Sequence, residues 1–180
     1  MVTEVFARTA AENACVLHGP LPRDHAAGRV IEIVRSHAGR AEVAVPDGDT
    51  LLDALDVPSR LVAAGVAVLR PGDPGWADRL PDAAVGITGA SVAVAATGTV
   101  AVTSGPGAPR ATSLLPPVHV CVLQTSDVVA EFADAVERVA AGGLPSAVIW
   151  VGGPSRTADL EMRQTLGVHG PKVVELVLVD

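Results

Sequence analysis

The chain has 180 residues and a formal net charge of −7; 49% of it is hydrophobic, yet only 2% is aromatic. That length suits one domain, whose core must be built from Val, Leu, Ile and Ala. The acidic balance and the shortage of rings exclude nonspecific nucleic-acid binding, which needs basic clusters to displace counterions and aromatic platforms to stack bases.

Residues 1–40 read as loosely patterned helix. They are broken at "HGPLPRDHAAG" and resume in an amphipathic piece, "RVIEIVRSHAG", that ends at Gly39. A short strand, "AEVAV", stops at the turn "PDGD". "TLLDALD" and "SRLVAAG" are expected as short helices on either side of Pro58, with Gly65 as a C-cap. "VAVLR" is a buried strand and "PGDPG" a loop. "AAVGIT", "SVAVAA" and "TVAVTS" are three more β-favouring runs, apolar enough to be covered on both faces.

A glycine- and proline-rich loop, "SGPGAPRATSLLPP", leads into the strand "VHVCVL". From Ser126 the spacing of Val128, Val129, Phe132, Val136 and Val139 predicts a helix that ends at Gly142 and Gly143. "SAVIWV" is expected as a strand, "SRTADLEMRQTL" as a helix and "VVELVLV" as the closing strand. Such alternation indicates an α/β layered fold with a largely parallel or mixed sheet.

Cys15 and Cys121 are too few and too far apart for a CxxC motif or for a cluster held by this chain alone, which wants about four thiolates. No secretory h-region is visible, and no apolar run approaches the roughly 20 residues of a membrane span, so a cytoplasmic setting is expected.

The polar chemistry concentrates in four stretches. In "GGPSRTADLEMRQTLGVHG", residues 152–170, a strand–loop–helix reading makes Ser155 an N-cap. Ser155, Arg156 and Thr157 would then present donors suited to a carboxylate or phosphate at the carboxyl end of a strand. Simple capping, with Arg156 paired to Asp159 or Glu161, is the plainer alternative. His169, between Gly167-Val168 and Gly170, could face a cleft and shuttle a proton, or could simply bond a carbonyl in its turn. Thr97-Gly98-Thr99 joins two strands, and Gly98 there allows positive φ or a close backbone approach. Arg110, Ser113 and His119 flank the stiff Pro116-Pro117 pair. No GxGxxG, phosphate-binding GxxxxGK[ST] loop or GxSxG elbow accompanies them.

In order along residues 86–171, "GITGA", "A-x-TGT", "R-x-x-SLLPPVH", "GGPSRTAD-x-E" and "GVHGP" resemble the LUD-domain family, specifically its lactate utilization protein C group. The resemblance implies a fold related to the NagB/RpiA/CoA-transferase superfamily, an α/β sheet with helices on both faces. It implies a single domain over 1–180, with 1–40 a shortened helical amino-terminal region and 41–180 the α/β core. It also implies a part in oxidising L-lactate to pyruvate beside iron–sulfur partner proteins, with no cofactor or metal bound by this chain.

The family's motifs carry over to Thr97, Gly98, Thr99, Arg110, Ser113, His119, Ser155, Arg156, Thr157, Asp159, His169 and Gly170 as contacts to a small anionic ligand. Asp159 and His169 are the candidates for acid–base chemistry. Where the family commonly has an acidic residue before Thr97, this chain has Ala96. That departure favours a component of a complex over an independent enzyme. The alternatives are a stand-alone transferase or isomerase acting on an acyl-CoA or sugar phosphate, and a non-catalytic regulatory binding module.

Overall fold

The computed structural model describes residues 1–158, 164–166 and 169–180. Helix α1 (Val2–Glu12) buries Phe6 and Ala10, four residues apart and so on one face. Strand β1 (Val16–Leu21) follows, then helix α2 (Arg23–Ala38), which buries Ala26, Val30, Ile33 and Val34 along one stripe and stops at Gly39 with φ 56°. Next come β2 (Val43–Ala44), α3 (Thr50–Ala54), α4 (Val57–Ala63) and β3 (Val68–Leu69). Pro58 sits in the first turn of α4, where its missing N–H costs nothing. Helix α5 (Trp76–Arg79) leads to β4 (Val85–Gly89), β5 (Val92–Val94) and β6 (Thr99–Ser104). Helix α6 (Ala111–Leu114), β7 (Val118–Gln124), β8 (Val128–Val129), α7 (Phe132–Ala141) and β9 (Ala147–Val151) come next. Strands β10 (Arg156–Ala158), β11 (Gln164–Leu166) and β12 (Val173–Val179) complete the chain.

Among the described residues the main sheet runs β1-β12-β7-β4-β2-β3, and every pairing in it is parallel. On one face α2, α3 and α4 bury Val30, Leu52 and Leu61 against Val85, Ile87, Val120 and Val177. The other face meets α1 and α6 and also a second, mixed sheet of order β8-β5-β6-β9. Phe6, Ala93, Val100, Cys121, Leu176 and Leu178 fill that second interface. Each fully enclosed Leu, Val or Phe side chain contributes roughly 1.5–3 kcal/mol relative to exposure, so both layers are well anchored. The α/β expectation and the helices on both faces hold; the second sheet is the feature that strand runs alone did not reveal.

Three sequence expectations are corrected. Of the expected break "HGPLPRDHAAG", "RDHAAG" opens α2 and "HGPL" lies within β1, an edge strand whose residues pair with β12. Gly19 and Pro20 are poor strand formers, but an edge position tolerates Pro because one side of the strand needs no N–H donor. The helix expected from Ser126 begins at Phe132: Val129 and Val128 instead pair with Val94 and Ala93 of β5. A reciprocal box between Glu131 and Asp134 sets the true start of α7.

The third correction concerns the helix expected over "SRTADLEMRQTL". Both described ends of that stretch are strand, with Arg156 opposite Leu166, Thr157 opposite Thr165 and Ala158 opposite Gln164 in an antiparallel pair. Helix propensity is a weak prior, and backbone pairing between the two ends overrides it. Ser155 therefore precedes a strand, and the helix N-terminus offered as an anion site is absent there.

Candidate functional site

The strand directions divide the sheet into an amino edge and a carboxyl edge. At the amino edge lie the segments that enter β1, β7 and β12: Asn13–Cys15, Pro116–Pro117 and His169–Lys172. Most of the motif-bearing stretches collect here, joined by hydrogen bonds to backbone carbonyls. Asn13 donates its side-chain amide to the Thr97 carbonyl at 2.7 Å, and its own carbonyl accepts from Arg156 Nη2 at 3.3 Å. The Ser155 N–H donates to the Pro171 carbonyl at 2.8 Å, and the Lys172 N–H donates to Pro117 at 2.7 Å. Thus the TGT turn, the GGPSR loop, the HGP turn and the double-proline loop form one continuous strip.

Two glycines make this strip close-packed. Gly98 has φ 64°, and a Cβ there would lie 2.5 Å from the backbone of Thr9 and Ala10. Gly153 has φ 118°, and a Cβ would lie 2.2 Å from the Asn13 carbonyl oxygen. Gly98 is therefore explained by the approach of α1, with no ligand needed.

Along the strip Thr97, Ala96, Arg156 and His169 are exposed, while Thr99, Ser155 and Gly170 are half-buried. Arg156 also faces Cys15, whose thiol burial pushes up to about 11 against the opposing pull of that guanidinium. Asp159 lies outside the described residues, and for Thr157 the description is confined to its backbone in β10.

The remaining candidates are placed differently. Arg110 is exposed at the start of α6, but Ser113 is buried and bonded to the Arg110 carbonyl at 3.0 Å. His119 is wholly enclosed on β7, its Nε2 2.8 Å from Thr88 Oγ1 and its Nδ1 without a partner. Burial lowers its pKa to about 4, so it stays neutral at physiological pH. Its role is in the core between β4, β7 and α6. Gly86, opposite His119, makes room for α6, since a Cβ there would lie 1.9 Å from the Thr112 carbonyl oxygen.

The carboxyl edge holds what the sequence reading missed. The chain leaves β2 outward to β3 and then returns to place β4 on the other side of β2, so the loops after β2 and β4 part at a topological switch point. Asp49 spans that gap. Its Oδ1 accepts the Leu51 and Leu52 N–H groups at 3.2 and 3.1 Å, capping α3, and its Oδ2 accepts the Gly89 N–H at 2.7 Å. A Cβ at Gly89 would lie 2.6 Å from the same carboxylate and displace it.

The second sheet borders this gap, where an open pocket of about 210 Å³ is lined by Asp49, Thr50, Gly89, Ser91, Thr103 and Ala108 among others. The only sequence hint was positional: "PDGD" and "GAS" both follow apolar strands.

A third polar group sits on the helical face. Buried Glu175 of β12 lies 2.7 Å from His18 Nε2 and 3.0 Å from His37 Nε2, tying β1, β12 and the end of α2 together. The two imidazoles meet separate carboxylate oxygens. Among the described residues no group of three or more His, Cys, Asp or Glu is arranged to hold a metal ion, and Cys15 and Cys121 are buried free thiols.

Together these features define an α/β protein with an all-parallel main sheet, a second, mixed sheet and polar chemistry at both sheet edges. A model of the LUD domain matches residues 70–179. The chain belongs to the LUD-domain family.

A protein of Neisseria meningitidis is 41% identical over 99 residues, covering 53% of this chain and 42% of that one. Lactate utilization protein C of Shouchella clausii is 37% identical over 100 residues, covering 53% and 44% respectively. The protein of that name from Deinococcus radiodurans is 34% identical over 127 residues, covering 68% and 59%. The chain thus spans about half the length of the curated relatives it matches. A solved structure of a DUF162 family protein from Deinococcus radiodurans matches with a TM-score of 0.75 at 25% identity, covering 99% of this chain and 96% of that one.

Proposed function

We propose that this chain is a cluster-free component of a cytoplasmic L-lactate utilization system, holding a small carboxylate while iron–sulfur partner proteins accept the electrons. The observation that carries this reading is the amino-edge strip. Four motif stretches far apart in sequence meet there, in a chain similar to proteins named lactate utilization protein C. Arg156 supplies a guanidinium whose planar donors suit a carboxylate, with Thr97, Thr99 and Ser155 nearby to bond its oxygens or the neighbouring hydroxyl.

Oxidising lactate to pyruvate removes two electrons and two protons. Two buried cysteines cannot hold a four-thiolate cluster, so in this reading the electrons leave to the partners. His169, exposed in its turn, is the candidate to take a proton. Ala96, exposed before Thr97 where the family commonly has an acid, favours binding over independent turnover.

The test pairs growth with binding. Deleting the gene is expected to abolish growth on L-lactate, and tagged protein is expected to co-purify with cysteine-rich iron–sulfur proteins. Arg156→Ala is expected to fail in restoring growth and to lose calorimetric binding of lactate or pyruvate. Undiminished growth of the deletion strain would overturn the reading.

A further inference from the structure

The carboxyl-edge crevice has a second chamber. A cavity of about 390 Å³ adjoins the one at Asp49, and both are lined by Ser91 and Thr103, whose hydroxyls lie 2.9 Å apart. The smaller chamber alone falls below the roughly 300 Å³ at which small-molecule pockets begin; the larger exceeds it, and the hydroxyl pair borders both.

Their chemistry differs. In the smaller chamber Asp49 uses three of about four carboxylate acceptor positions on the Leu51, Leu52 and Gly89 N–H groups, which leaves one for a ligand donor. Ser91 and Thr103 share one hydrogen bond, and the remaining donor and acceptors of that pair are open to a ligand. Three oxygens fixed on rigid strand ends and a cap are therefore available to hydroxyl groups.

The larger chamber is lined by Val139 and Pro145, with Leu144 exposed at its rim, beside Gly142 and Gly143 just past the end of α7. The Ala140 carbonyl already accepts the Gly142 and Gly143 N–H groups, and the Gly142 and Gly143 carbonyls beyond it can accept N–H donors. Arg138, which also lines it, is already engaged by the Asp127 carboxylate and the Ser126 carbonyl. A carboxylate at one end and a helix C-terminus at the other repel anions.

We propose that this two-chambered crevice binds a nucleoside, with its vicinal ribose hydroxyls on Asp49, Ser91 and Thr103 and its base beside Val139 and Pro145, the N–H groups of the base on the Gly142 and Gly143 carbonyls. The site is on the opposite sheet edge from the carboxylate strip and does not depend on it.

Calorimetric titration of the full chain with adenosine, guanosine, cytidine and uridine tests it, with 2′-deoxynucleosides, free ribose and nucleoside monophosphates as the other arms. At least one ribonucleoside should bind saturably. Its 2′-deoxy form should bind about tenfold to a hundredfold more weakly, as loss of a hydrogen bond to a charged group implies. The S91A/T103V variant, which leaves the Asp49 cap intact, should show the same loss without loss of lactate binding.

Absence of binding by all four ribonucleosides would overturn the proposal. So would equal binding of the deoxy forms, or ribose binding as tightly as the nucleoside. Tighter binding of the monophosphate would remove the electrostatic argument and the proposal with it. The deoxy comparison needs no variant, so a misfolded double substitution leaves the test intact.

Discussion

At the amino edge of the sheet, separate segments are joined at backbone carbonyls, which accept every one of these bonds: Ser155 to Pro171, Lys172 to Pro117, Asn13 to Thr97 and Arg156 to Asn13. At the carboxyl edge the joining is done by side chains, Asp49 across the switch point and Ser91 with Thr103 at the second sheet. The first edge should thus tolerate exchange of exposed side chains but not an added Cβ at its glycines. The second should respond strongly to deletion of a single carboxylate.

The largest expected break of this contrast is Gly153→Ala. Its φ of 118° is essentially reserved for glycine, and the new Cβ would collide with the Asn13 carbonyl. A loss of about 3 kcal/mol or more in urea unfolding is expected, and a loss below about 1 kcal/mol would mean that the strip is loosely held.

Next comes acid, acting on the layer between the edges. His119 takes up a proton near pH 6.5 when unfolded but only near about 4 when folded. As pH falls below 6.5 the unfolded chain gains a proton that the fold excludes, so stability falls progressively down to about pH 4. That single group accounts for up to about 3 kcal/mol. His119→Gln should flatten this part of the profile measured against wild type.

Asp49→Ala follows, with about 2 kcal/mol expected for the lost cap and the unsatisfied Gly89 N–H. Amide exchange should speed up at Leu51, Leu52 and Gly89 and leave the amino edge unchanged. The smallest stability effect belongs to Arg156→Ala, within about 0.5 kcal/mol for an exposed side chain. If it removes carboxylate binding nonetheless, the amino edge is a ligand surface as well as a seam.

How far the sequence reached can be judged residue by residue. Val85, Ile87, Val120, Leu176 and Leu178 announced buried strands, because a strand covered on both faces needs apolar side chains at every position. Val16–Leu21 did not: its glycine and proline weaken a local signal, and pairing with the distant β12, Val16 opposite Glu175, supplies what propensity lacks. The motif residues were legible as types, yet their surroundings were not. His119 has the same chemistry in a loop as in a core, and only its enclosure beside Thr88 makes it a neutral core imidazole.

The sequence by itself determined the α/β class, the family and the segments that carry polar chemistry. These follow from local composition and from motif order, which need no knowledge of neighbours. Only the tertiary structure decided that "SAVIWV" joins a second sheet rather than the parallel one, which leaves its loop beside the amino-edge strip. It alone also brought Asp49, Gly89, Ser91 and Thr103 to one crevice. Strand periodicity reports burial but not partner or direction, and partner and direction fix which edge a loop occupies.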